Sequence, residues 1–238
     1  MKPIILIPMA GNGTRFSKAG YTLPKPLIDI MGKPMIQHVI DCIKFDADWI
    51  FVVQQNHIDD FQIDAVLTKL KPGCQIISTD AGVTEGAACT VLLARALIDN
   101  DRTLIVINSD NIIEWDGVTA MYKFIRSGHD GLILTFRDTD PKWSFVKLND
   151  DGVAVEVAEK KPISDIATAG LYVWKRGCYF VTAADQMISK NIRVNNEFYL
   201  APVYNENIEM GHKIATHDVI MHGVGTPEDL AIYLEAKA

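Results

Sequence analysis

The sequence predicts an α/β fold: a mixed, mostly parallel sheet with a small antiparallel insertion late in the chain. Three observations predict it. Strands and helices alternate from the first residues onward. The segment Leu104–Asn108 is apolar without interruption, as parallel strands covered on both faces are. From Trp143 to Val157 the pattern changes to two short strands around a turn at Asn149–Gly152, where Asp-Gly signals a hairpin. A β-α-β core followed by an antiparallel insertion after about residue 140 describes one domain.

The elements follow in order. Ile4–Pro8 reads as a buried strand; its apolar run is too short for a membrane span and lacks the long core and cleavage site of a signal peptide. Met35–Lys44 reads as a helix, Trp49–Gln54 as a strand, Ile58–Leu70 as a helix and Gln75–Ser78 as a short strand. Gly86–Ile98 is a helix with small residues on its first turn, and Gly117–Arg126 follows the Leu104–Asn108 strand as a further helix. Gly131–Phe136 is a strand, and Ala167–Trp174 another after the insertion. Helices are expected near Cys178–Ser189 and Glu197–Met210, then a strand at Ile214–Met221. Thr226–Lys237 closes the chain as a helix, with Thr226 as N-cap, Pro227 in the first turn and Glu228 and Asp229 at its positive end.

Composition narrows the function. Hydrophobic residues are 48% and charged residues 22% of 238, so general disorder is excluded. A formal charge of -7 makes the chain a poor binder of nucleic-acid polymers or anionic membranes. The charge is uneven, however. Residues 1–38 carry Lys2, Arg15, Lys18, Lys25 and Lys33 against Asp29 alone, a +4 front on a -11 remainder. Such a front suits a polyphosphate. Cys42, Cys74, Cys89 and Cys178 are scattered, with no metal spacing, and read as free buried thiols of a cytoplasmic protein. The six histidines form no metal-spaced pair and read as surface or satisfied residues; Trp143, Trp174 and Tyr172 read as core or pocket wall.

The sharpest local feature is Gly11-Asn12-Gly13-Thr14-Arg15-Phe16, directly after the first strand. Glycines there let backbone N–H groups approach phosphate oxygens, and Arg15 adds a guanidinium of matching geometry. Phe16 breaks the dinucleotide fingerprint G-x-G-x-x-G, and no Walker sequence is present, so neither NAD binding nor ordinary ATPase chemistry is supported. Pro24-Lys25-Pro26 follows, where two prolines stiffen the backbone around one lysine. Gln54, ending the second strand, is a candidate pocket residue.

These motifs resemble the opening of the nucleotidyltransferases that make NDP-sugars and related activated phosphates. Thr84-Glu85-Gly86-Ala87-Ala88 resembles the segment whose glycine faces the nucleobase. Asn108-Ser109-Asp110-Asn111 resembles the strand end that carries a metal-binding aspartate. Glu159-Lys160-Lys161-Pro162, Ala169-Gly170-Leu171-Tyr172 and Gly225-Thr226-Pro227-Glu228-Asp229 complete a resemblance that covers nearly the whole chain in order. It implies a Rossmann-like, GT-A-type nucleotide-binding fold. One domain spans 1–238, with a nucleotide-binding half over roughly 1–137 and an acceptor-binding half over 138–238.

The implied reaction transfers NMP from an NTP to a phosphorylated acceptor, foremost a sugar 1-phosphate, and releases pyrophosphate. A cytidylyltransferase of small non-sugar phosphates is the alternative within the class. A GT-A glycosyltransferase and a non-catalytic nucleotide binder are the alternatives outside it, and Asn108-Ser109-Asp110 is not the D-x-D motif of the former. The resemblance assigns catalysis to Arg15 and Lys25, and nucleotide binding to Ala10, Gly11, Asn12, Gly13, Thr14, Gln54, Glu85, Gly86 and Ser109. It assigns Mg²⁺ to Asp110 and the acceptor to Glu159, Lys160 (or Lys161, since the lysine is doubled), Gly170 and Glu197. Glu197 could instead simply begin a helix. The expected partners are an NTP and the acceptor, with no nucleic-acid polymer and no membrane insertion; a homo-oligomer is left open, and polysaccharide or lipid head-group assembly is the expected setting. One departure stands out. Where many relatives keep a second metal-binding aspartate before the last Gly-Thr, this chain has Gly223, with Asp218 upstream as a speculative substitute.

Overall fold

A computed structural model describes residues 1–80, 82 and 84–237. The front half comprises β1 (Ile4–Pro8), α1 (Thr14–Lys18), the short hairpin β2 (Asp29–Ile30) and β3 (Lys33–Pro34), α2 (Met35–Asp41), β4 (Asp48–Gln54), α3 (Gln55–Phe61), α4 (Ile63–Leu70) and β5 (Gln75–Thr79). Then come α5 (Ala87–Leu92), α6 (Arg95–Ile98), β6 (Leu104–Ile107), β7 (Asn111–Glu114), α7 (Gly117–Ser127) and β8 (Gly131–Arg137). The remainder is β9 (Ser144–Leu148), β10 (Ala154–Glu159), β11 (Ile166–Trp174), α8 (Gly177–Ser189), α9 (Val203–Glu209), β12 (Ile214–Asp218), β13 (Ile220–Gly223) and α10 (Pro227–Lys237).

Among the described residues, nine strands form one sheet. β5, β4, β1 and β6 run parallel, and β12 runs parallel to β8. β11 is antiparallel to β6 on one side and β8 on the other, and it leads into the β9–β10 hairpin. The mixed, mostly parallel sheet with an antiparallel insertion is therefore present. Alternation along the strands feeds two cores. Leu6, Val52 and Val106 face one layer with Trp174, Phe180 and Tyr204; Ile7, Phe51 and Ile107 face the other with Val39, Leu67 and Phe124. Both faces are covered, which is why these strands read as unbroken apolar runs. A third core of Phe16, Ile28, Ile30, Met35, Val224 and Leu230 seats the glycine loop and the Pro-Lys-Pro turn on the start of α10.

Several expected elements are shorter or broken. The helix expected over Ile58–Leu70 is two, because Gln62 turns left-handed at φ 52°. Gly86–Ile98 also divides, at Leu93 and Ala94. The helix expected from Glu197 starts only at Val203, after Pro202. Ile214–Met221 is two strands: β12 joins the main sheet, while β13 pairs with β7, a strand the sequence pattern did not reveal. The Asn149–Gly152 turn and the Thr226 cap form as expected, with Thr226 Oγ1 accepting from the Asp229 N–H at 3.1 Å. The four thiols are free but half-buried rather than buried. His57 departs from the expectation for histidines: it is buried, and its Nδ1 has no partner among the described residues.

Candidate active site

The carboxyl ends of β1 and β6 open on a cleft of ≈ 590 Å³. The glycine loop forms one side. Gly13 adopts φ 58° and caps α1, and a Cβ there would come 3.3 Å from the Lys25 Cβ. This position therefore needs glycine for its conformation and for room beside Lys25. Among the described residues, the backbone N–H groups of residues 11–15 meet no protein acceptor, and the Arg15 guanidinium makes no ion pair. Phe16, buried and edge-on to Tyr21 at 5.1 Å, pins the loop from behind.

Lys25 starts a 3-10 turn between Pro24 and buried Pro26, and its Nζ lies 2.6 Å from Asp110 Oδ2. Both side chains are about one-fifth exposed at 22% and 23%, so this pair faces the cleft without being sealed in protein. Asp110 sits on the turn from β6 to β7. Its carbonyl accepts from the Val224 N–H at 2.9 Å, and a Cβ on Gly225 would lie 2.5 Å from its carboxylate. The Gly-Thr segment near the C-terminus thus makes room for Asp110.

The other side is built on β9, β10 and the segment before α9. Ser144 donates to the Glu159 carboxylate across the hairpin. Burial raises the Glu159 pKa against the opposing pull of that bond and of nearby Lys160, and Glu197 adds to the rise. Lys160 has a left-handed backbone at φ 56°, held by its N–H bond to the Trp143 carbonyl at 2.9 Å. That turn aims its Nζ at Tyr199 Oη, 2.6 Å away, with the ammonium 4.6 Å from the ring centroid. Of the doubled lysine, Lys160 lines the cleft and Lys161 is exposed outside its lining. Glu197 is exposed in the same wall, within a short bridge to Val194.

Of the residues singled out in the sequence, Gly13, Thr14, Arg15, Lys25, Ser109, Asp110, Glu159, Lys160 and Glu197 line this cleft. The others lie outside its lining. Gln54 is buried and donates through Nε2 to the Ala10 carbonyl at 2.8 Å and to Asn12 Oδ1 at 3.0 Å, so it braces the loop. Gly11 is exposed at the loop tip. Gly86, at φ 122°, lies so close to Phe198 that a Cβ would stand 2.5 Å from the Phe198 carbonyl oxygen. Glu85 points to Arg193. Gly170, at φ 76°, clears room for Asn111 and Asn108, whose amide nitrogens would lie 2.4 Å and 2.8 Å from a Cβ there.

Two further features correct the sequence reading. Lys2 and Lys33 are spent on surface pairs with Asp46 and Asp41, so the positive front reduces at the cleft to Arg15 and Lys25. Asp218 accepts from Thr135 Oγ1 at 2.6 Å and lies outside the cleft lining, so it does not stand in for a carboxylate at 223. The place beside Gly223 is filled instead by Trp143, whose ring carbon would be 2.8 Å from a Cβ at 223. Trp143, read from the sequence as core or pocket wall, lines the cleft. Sequence reasoning missed Ser144 and Tyr199 as cleft residues; only the resemblance of the neighbouring Glu-Lys segment could have pointed there.

Asp110 offers one carboxylate, and among the described residues no cluster of three metal-binding side chains exists. The Asp110 carboxylate is a donor of the kind Mg²⁺ takes beside water and substrate phosphate oxygens. No described helix is long and apolar enough to cross a membrane.

A family model for nucleotidyl transferases matches residues 2–219. The chain is 28% identical over 174 residues to the bifunctional protein GlmU of Methanocaldococcus jannaschii, covering 72% of this chain and 39% of that protein. It is 32% identical over 190 residues to mannose-1-phosphate guanylyltransferase 1 of Arabidopsis thaliana, covering 73% of this chain and 49% of that one. The chain thus spans about half the length, or less, of these curated relatives. A crystal structure of the nucleoside-diphosphate-sugar pyrophosphorylase from Vibrio cholerae RC9 superposes with TM-score 0.78 at 26% identity, covering 97% of this chain and 99% of that one.

Proposed function

The chain belongs to the nucleotidyl transferase family, and from that premise we propose that it transfers NMP from an NTP to a sugar 1-phosphate and releases pyrophosphate. The observation that carries the reading is one cleft with two unlike ends: loop N–H groups with no acceptor among the described residues, Arg15 and the Lys25–Asp110 pair at one, and Glu159, Lys160, Glu197 and Tyr199 at the other. The similarity to a mannose-1-phosphate guanylyltransferase and to a sugar pyrophosphorylase supports the acceptor class.

Two polyanions must meet, so positioning and charge neutralisation dominate catalysis. Backbone N–H groups of residues 11–15 cradle the triphosphate, with Gln54 bracing the loop through Ala10 and Asn12. Arg15 neutralises the departing pyrophosphate. The segment around Gly86 faces the base. An oxygen of the acceptor phosphate attacks the α-phosphorus, and the bond to the pyrophosphate oxygen breaks opposite it. Lys25 leaves Asp110 and stabilises charge on the α-phosphate. Asp110 is the residue that would hold Mg²⁺, which when bound neutralises phosphate charge. Lys160 receives the acceptor phosphate, and Glu159 and Glu197 accept from acceptor hydroxyls. Residues 1–137 then form the nucleotide half and 138–238 the acceptor half, with the C-terminal Gly225 returning to Asp110. The reaction draws on the cytoplasmic NTP pool, and its NDP-sugar product serves glycan assembly.

The test is product identification. The protein is incubated with Mg²⁺, mannose 1-phosphate and each of CTP, UTP, GTP, ATP and dTTP, and then with other sugar 1-phosphates. Mass spectrometry should find an NDP-sugar together with equimolar pyrophosphate. Absence of product with every sugar 1-phosphate, alongside product from a non-sugar phosphate, would overturn the acceptor class.

A further inference from the structure

We propose that Arg193 is a positioning residue that couples the base-facing segment to the acceptor end of the cleft by clamping the strap 191–198 between them. The proposal rests on the reading above.

The strap is irregular backbone with an unusual number of left-handed residues. Asn191, Asn195 and Asn196 have φ of 53°, 48° and 63°. Asparagine tolerates this region better than most residues, but three in six positions persist only where surrounding contacts hold them. Arg193 supplies many of those contacts. Its Nε donates to Asn191 Oδ1 at 2.6 Å and its Nη1 to the Asn196 carbonyl at 3.1 Å. Its Nη2 pairs with the Glu85 carboxylate, and the guanidinium stacks 4.0 Å over the Phe198 ring. One planar fork therefore ties both ends of the strap to each other and to the segment carrying Gly86.

Phe198 is the joint. Its N–H donates to the Glu85 carbonyl at 2.7 Å, and its own carbonyl accepts from the Ala88 N–H at 3.0 Å. Gly86 has no room for a Cβ because the Phe198 backbone stands against it. The two residues flanking Phe198 are Glu197 and Tyr199, and both line the cleft. Tyr199 in turn holds Lys160. A shift of the base-facing segment must therefore move Phe198, and with it the residues that meet the acceptor. Arg193 lies outside the cleft lining and is not a catalytic residue; it acts through Phe198.

The test is steady-state kinetics of Arg193→Ala, Arg193→Lys and Glu85→Gln, with wild type as control and thermal melts as a check on folding. Arg193→Ala should raise the KM for NTP and the KM for sugar 1-phosphate together, each about five- to tenfold, with kcat changed less. Arg193→Lys should behave like the alanine variant, because an ammonium cannot fork to three acceptors while stacking on a ring. Adding Glu85→Gln to Arg193→Ala should cost nothing more, since both act on one clamp. If Arg193→Ala does not fold, Glu85→Gln alone carries the test and should move both KM values in the same direction. A change in one KM only, or in neither, overturns the coupling while leaving the transferase reading intact. No turnover by the wild type on any sugar 1-phosphate overturns both.

Discussion

The two ends of the cleft are finished to different degrees. At the acceptor end two of the charged side chains already have partners: Glu159 takes a bond from Ser144, and Lys160 is bonded and stacked to Tyr199, while Glu197 stands exposed beside them. At the phosphate end the loop N–H groups and Arg15 have none among the described residues, and Lys25 has only Asp110. The difference teaches which end depends on its ligand. A triphosphate supplies what the loop lacks, whereas the acceptor enters a wall that stands without it. Removing charge at the first end should therefore abolish turnover with little effect on folding. Changes at the second end should register in stability or in acceptor KM.

The largest expected effect follows directly. Lys25→Ala should lose about 10²–10³-fold in kcat by withdrawing a cation from the reacting phosphate. Its melting temperature should stay near that of the wild type, because a cleft-facing pair contributes little to folding. Asp110→Ala should lose turnover too and shift the Mg²⁺ dependence. Near-wild-type rates for either variant would erase the contrast between the ends.

Next comes Gly170→Ala, behind the junction of the two ends. A methyl 2.4 Å from the Asn111 amide, on a left-handed backbone, should cost about 2–3 kcal/mol of stability. Thermal melts would show it as a clear fall in Tm before any change in KM is considered.

Gly223→Asp sharpens the contrast on the acceptor side. The new carboxylate must displace Trp143, so it should raise acceptor KM a few-fold without tightening Mg²⁺ binding, as calorimetry on the nucleotide complex would report. Tighter metal binding would show that Trp143 yields easily and that this corner belongs to the phosphate end.

The smallest effect is on pH. The Glu159 pKa is raised above its ordinary value, chiefly by burial. The folded protein then binds more protons than the unfolded chain between the ordinary and the raised value, so the Glu159 contribution falls as pH rises through that window. Glu159→Gln, which cannot ionise, should gain stability relative to wild type as melts move from acid to neutral pH. A gap that narrows instead would mean that Ser144 and Lys160 outweigh burial.

The same contrast runs through what the sequence disclosed. The phosphate end is local: a strand, two glycines, Arg15 and a proline-bracketed lysine lie within one short stretch, where they suggest a phosphate site and carry the family resemblance that implies their roles. The sheet was legible for a similar reason, since strands covered on both faces show as unbroken apolar runs. The acceptor end is assembled from distant pieces. Nothing local in Trp143 or Gly223 announces that the ring occupies the space beside the glycine, and nothing local in Tyr199 announces that it meets Lys160, 39 residues earlier in the chain. Gln62 broke a helix that side-chain periodicity makes continuous, because a single left-handed residue leaves that periodicity intact. The glycines at 86, 170 and 225 stand in the motif segments, and at each a neighbour also comes too close for a Cβ.

The most direct measurement is the initial rate of pyrophosphate release from NTP and Mg²⁺, with and without a sugar 1-phosphate, in wild type and Lys25→Ala. The account predicts release by the wild type that depends on the sugar 1-phosphate and nearly disappears in the variant. Release that proceeds equally well without the acceptor, or that survives the loss of Lys25, would contradict it.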